Sequence, residues 1–333
     1  MRVCAPVLAA ALALGAPLAQ AEGDWFARVY TPGGVEVRAD ARVFTLFALL
    51  NRTGYDAGPL RRAYPVPAYR YAPARVHVRE ALTTAEPAVL QRAQAFFDAH
   101  PQPLERYLAL AVRMEDEDEV PAELHELEGL EALLDLVDTR WSIPALQAET
   151  FGDYRAAMRS YLALLDEPLH RVQRLLRVPE SGLGVRVVVN LLAEDGWVRG
   201  FRTQTGVALV TGPVSPGKPP ELERLVWEYA RLSLPTTVGE QAQGRWAAGP
   251  ALLKEAQSLG AREATVGEYA VALVSRAAAL AALQAPDSAY EAASLEGYFG
   301  LKALAGSFGD SRPVDGWALE GLARVGTGRP SRK

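Results

Sequence analysis

Along most of this chain apolar residues recur at helical spacing, and in one stretch they switch to alternation. Val43, Phe44, Leu46, Phe47 and Leu50 give a wide apolar face to a helix over 41–52. Asp40 is placed to cap that helix, and Thr53-Gly54 to stop it. Before it, Trp25–Tyr30 and Val35–Arg38 read as two short strands joined by a turn at Thr31–Gly34. The helical spacing then predicts helices over 87–99, 104–114 and 122–137, and a long stretch over 151–177 broken near Pro168. At Val185 the period becomes two: Val185, Val187, Val189 and Leu191 alternate, Asp195-Gly196 signals a hairpin, and 197–210 runs back. A helix over 222–235 follows, with Leu222, Leu225, Val226, Tyr229 and Leu232 on one stripe. Further helices are predicted over 241–259, 265–283, 289–305 and 314–325. Prolines and tyrosines dominate 57–73, which reads as a loop and as a natural place for a ligand-facing excursion. The outline is α+β: predominantly helical, with a small antiparallel sheet, the hairpin at about 185–211, ahead of the helix at 222.

Composition changes this picture in three places. Arg2, the apolar run Ala5–Leu18 and Ala19-Gln20-Ala21 have the form of a signal peptide over 1–21, cleaved near Ala21. That predicts an exported protein, periplasmic or extracellular, with no integral membrane segment in the mature chain. The single cysteine, Cys4, falls within the leader, so the mature chain forms no disulfide. The balance of 35 basic against 40 acidic residues is dispersed, without a polybasic stripe, and argues against a nucleic-acid partner. Residues 22–325 can make one domain, with a possible subdivision into a helical part, 22–180, and a second part, 181–325; residues 326–333 form a basic tail.

Several familiar patterns fail on mechanism. Glu115–Glu119 is an unbroken acidic run without the spacing or glycine of a calcium loop. Gly212–Lys218 has phosphate-loop spacing, but Pro213 and Pro216 remove amides that would cradle phosphate, and Pro219 replaces the Ser or Thr that reaches Mg²⁺. Ser215–Lys218 spells S-x-x-K without the companion elements of penicillin-recognising enzymes. Asn51-Arg52-Thr53 matches a glycosylation sequon but sits at a helix end, and His125-Glu126 lacks a second histidine, because Gly129 stands in its place.

Trp227-Glu228-Tyr229-Ala230-Arg231 is the segment with most to say. It stands on a helix that follows the hairpin, and Glu268 lies forty residues beyond the central glutamate, on a later helix. In this frame the stretch 185–283 resembles the glutamate-zincin metallopeptidases, whose H-E-x-x-H helix puts two histidines on one metal with a glutamate as general base. More loosely, 40–56 and 96–114 look like parts of a family of uncharacterised secreted bacterial proteins with this motif. The resemblance implies that Trp227 and Arg231 occupy the two histidine positions, Glu228 the general-base position and Glu268 the third-ligand position. An indole has no lone pair for a metal, and a guanidinium stays charged, so zinc is predicted to be lost. A coherent substitution would have Arg231 bridge to Glu268 while Trp227 fills the vacated volume. A plainer reading has equal standing: Glu228 and Arg231 form an exposed i, i+3 pair, and Thr265-Val266-Gly267-Glu268 is a capping box.

The expected function is therefore a catalytically inactive peptidase-like domain that binds a peptide or protein in the cleft a substrate would have used. The alternatives are an active hydrolase with a different set of polar groups, and a structural or interaction domain with no peptidase ancestry.

Overall fold

The computed structural model describes residues 28–54, 72–114, 120–177, 184–214, 220, 222–309 and 312–325. The leader, the acidic run, most of the 57–73 segment and the basic tail lie outside these residues. Two short strands, β1 (Val29–Tyr30) and β2 (Glu36–Arg38), pair antiparallel and lead into α1 (Ala41–Thr53). Asp40 caps α1 by accepting from the Val43 amide at 3.0 Å, and Gly54 closes it in the left-handed conformation. Among the described residues six α-helices follow: α2 (Pro73–Ala81), α3 (Pro87–Ala99), α4 (Leu104–Arg113), α5 (Leu130–Arg140), α6 (Ile143–Leu162) and α7 (Asp166–Leu176). α1 is buried from Val43 to Asn51 and packs against α2 to α6. Asn51 is itself buried and donates to the Leu192 carbonyl at 3.1 Å, so its role is structural.

Four expected helices are divided, among them 289–305, which is interrupted at 296–300 between helices at Asp287–Leu295 and Leu301–Ala305. Gly129, at φ +92°, separates a 3-10 turn at Ala122–Leu127 from α5. The break in the long stretch falls at 163–165, and Pro168 sits in the first turn of α7, where a missing amide costs little. The stretch 241–259 divides at Trp246 into α9 (Thr236–Arg245) and α10 (Gly249–Ser258).

The sheet corrects the sequence-based expectation. It is mixed, not antiparallel, and its five strands run in the order β1-β2-β3-β5-β4, with β3 at Gly184–Val189, β4 at Val198–Thr203 and β5 at Gly206–Thr211. β3 is parallel to β2 on one side and to β5 on the other; only β4 and β5 form the tight hairpin, turning at 204–205. Asp195-Gly196 does mark a turn, with Gly196 at φ +66°, but it joins strands that are not neighbours. After β3 the chain is held away from an immediate return: the Asn190 amide donates to the Thr211 carbonyl, and the Leu191 amide to the Tyr154 hydroxyl. β4 therefore takes the edge, and β5 fills the place beside β3. The valine-rich stretch Val185–Val189, interrupted by Arg186, suits an interior strand of a covered parallel ladder better than a half-exposed hairpin arm.

The remaining elements are α8 (Leu222–Ser233), α11 (Val266–Ala282), α12 (Asp287–Leu295), α13 (Leu301–Ala305) and α14 (Val314–Val325). α11 is the central helix of this half, surrounded by α7, α8, α9, α10 and α13, and α8 also packs on β4 and β5. β2, from the first half of the chain, is hydrogen-bonded into the sheet beside β3 from the second. Among the described residues no helix is long and apolar enough to cross a membrane.

Candidate functional site: the cleft between the edge strand and two helices

A cleft of about 1580 Å³ opens between β4, α8 and the N-terminal half of α11. It gathers all four residues singled out in the sequence: Trp227, Glu228, Arg231 and Glu268. Val198 and Arg199 bring the edge strand into the same cleft. Gly200, in the middle of β4, is what allows the strand to lie this close to α8. A Cβ there would stand 2.7 Å from Leu232 Cδ1 and 3.3 Å from the Glu228 carboxylate.

The pairings within the cleft are local ones. Glu228 Oε2 accepts from Arg231 Nη2 at 2.6 Å and from Nε at 3.0 Å. The Arg231 side chain is 41% exposed and that of Glu228 22%, so solvent screening leaves this i, i+3 pair worth a few tenths of a kcal/mol. Glu268 makes the capping box: its carboxylate accepts from the Ala264 amide at 2.8 Å and the Thr265 amide at 3.1 Å, and Thr265 Oγ1 accepts from the Glu268 amide. The expected Arg231–Glu268 bridge is therefore corrected. Each group finds a nearer partner one turn away, and neither carboxylate is buried deeply enough to need a cation brought from another helix.

Trp227 does fill the space between the helices, and its polar edge is used. Its indole N–H donates to Ser275 Oγ on α11 at 2.9 Å. Its ring meets Tyr298 edge-on, with centroids 5.2 Å apart. Over both rings lies the guanidinium of Arg276, 4.8 Å from the Trp227 centroid and 4.7 Å from that of Tyr298. Arg276 is buried; it donates to Glu223 through Nε (3.1 Å) and Nη2 (2.9 Å), and to Glu296 through Nη1 (2.7 Å). Tyr298 donates to Glu263 Oε1 at 3.1 Å. Burial first, and the Glu263 carboxylate second, push the Tyr298 phenol above its ordinary range, so it stays a neutral donor. The 296–298 segment is fixed from below by Tyr269, whose hydroxyl donates to the Gly297 carbonyl at 2.6 Å.

Sequence reasoning missed this aromatic and guanidinium cluster, although one signal was there. Ser275-Arg276 interrupts a helix that otherwise reads Val-Ala-Leu-Val before it and Ala-Ala-Ala-Leu after it. A charge at that point in an apolar helix has to be matched by partners from elsewhere.

These residues do not suit a zinc ion. The Trp227 nitrogen is a donor already bound to Ser275, Arg231 brings a positive charge, and Glu268 Oε2 is engaged with two amides. The other patterns resolve plainly where they are described. The Gly212 amide donates to the Trp197 carbonyl at 2.6 Å, and His125 Nε2 lies 3.0 Å from the Val120 carbonyl. Residues 215–219 and 115–119 lie outside the described part.

Comparison of the chain with protein-family models, with curated proteins and with solved structures found no match.

Proposed function

We propose that the cleft binds an extended peptide or protein segment, on a scaffold that resembles a glutamate-zincin peptidase and without metal-dependent hydrolysis. The observation that carries this reading is the approach of Gly200 to Glu228, which brings the edge strand β4 against α8 beside an open cleft that holds the position matched to the general base. Among the described residues β4 has a strand neighbour on one side only, and at six residues it is long enough to accept a partner by strand addition. The Arg202 carbonyl points away from β5, because it accepts from Arg113 Nε at 3.0 Å. By antiparallel alternation the Gly200 backbone groups point the same way. Mixed charges on the walls, Arg224, Arg231, Glu240 and Arg262 among them, would read the side chains of the bound segment.

The test is selection of binders from a phage-displayed library of unstructured peptides, followed by titration of the winners. Arg231→Glu places a like charge beside Glu228 on the cleft floor and is expected to weaken binding by about tenfold or more. Because Arg231 is largely exposed, the melting temperature should move little. No enrichment over a control protein, or binders indifferent to Arg231→Glu and to Glu240→Arg, would remove the cleft as the binding site.

A further inference from the structure

We infer that Arg276 does in this cleft what a metal would do on a zincin-like scaffold: its guanidinium is the cation that fastens the two walls together. This goes beyond peptide binding and stands whether or not a peptide enters the cleft. A metal held by residues at 227, 231 and 268 would cross-link α8 to α11. Here that cross-link is made instead by Trp227 to Ser275 and by Glu223 to Arg276, both running from α8 to α11.

The cross-link lies one to two turns from the level of Arg231 and Glu268, toward the start of α8. Arg276 also reaches a third segment through Glu296, and Tyr298 carries the connection to a fourth through Glu263. One buried cation thus joins α8, α11, the 296–298 segment and the loop before α11.

The chemistry fits a guanidinium and little else. The group is planar and lies over the faces of two aromatic rings, while its edge nitrogens donate to carboxylates on two sides. A lysine ammonium would have neither the flat faces nor a planar fork of five fixed donors. Because the cation is covalently part of the chain, assembly of the cleft should be indifferent to metal supply.

Thermal unfolding of the whole chain tests this. Addition of zinc chloride, or of EDTA, is expected to leave the melting temperature unchanged. Arg276→Ala is expected to lower it by about 5 °C, and Arg276→Lys to recover less than half of that loss. A drop of under about 1 °C in Arg276→Ala, or a clear rise with zinc, would overturn the inference. Should Arg276→Ala fail to fold, Glu296→Gln and Trp227→Leu carry the test, since both keep the arginine. These two side chains meet through Arg276, so the double variant should lose less stability than the two single losses added together. Plain additivity would show that the guanidinium does not couple them.

Discussion

Asp40→Ala is expected to destabilise the protein by about 4–5 kcal/mol, far more than loss of a helix cap alone would cost. Asp40 has two duties. One carboxylate oxygen accepts the Val43 amide at the start of α1, and the other accepts from Arg38 Nη2 at 2.6 Å. Both side chains are almost wholly buried, at 5% exposure for Arg38 and 3% for Asp40. Removing the carboxylate takes from this buried guanidinium the nearer of two carboxylates, Asp40 at 2.6 Å and Glu36 at 3.4 Å. Asp40→Asn separates the two duties, because asparagine caps a helix about as well as aspartate but carries no charge. It should cost about 1 kcal/mol less than the alanine variant. Equilibrium denaturation with urea measures both, and losses below about 1 kcal/mol in each would show that the ion pair contributes nothing net. Replacing Glu228 by glutamine, at the exposed pair with Arg231, should by contrast cost only a few tenths of a kcal/mol.

Gly206→Ala is expected to cost about 3 kcal/mol and to loosen the start of the parallel ladder. Gly206 faces Gly184 across the β3–β5 pair, and a Cβ on it would lie 2.0 Å from the Gly184 carbonyl oxygen and 2.7 Å from its nitrogen. Both obstacles are backbone, so no side-chain rotation relieves them. The two strands would have to part at the point where the β4–β5 hairpin turns back toward the sheet. Hydrogen exchange should register this as faster exchange of amides at the beginning of β3 and β5, with the amides of α11 unaffected. Uniform protection across β3 and β5 in the variant would refute the steric argument.

What the sequence made legible is what short-range physics decides. Asp40 and Thr265 announce helix starts because a cap is a contact across three residues, and both caps are present. The Glu228–Arg231 pair and the Glu268 capping box were open alternatives in the sequence for the same reason, and those local contacts are the ones made. The sheet was less legible, because strand order is settled by residues far apart. Asp195-Gly196 looks like a hairpin turn, yet nothing local says that β5 will slip between the strands it joins. That the four chosen residues share a cleft was implied by the family resemblance alone, and nothing in their local pattern requires it. The residues that organise the cleft around Trp227 could not be anticipated, since Glu223, Arg276 and Tyr298 come from three separate segments.

The union of β2 with β3 has a kinetic consequence. Glu36 is aligned with Arg186, and among the described residues seven α-helices lie between the two strands. Closing so long a loop for only three aligned residue pairs is entropically expensive until the intervening helices have condensed. Helical signal should therefore appear early in refolding, while protection of the β2 amides arrives last. β2, synthesised before the helices that follow it, would be among the last elements to find its place.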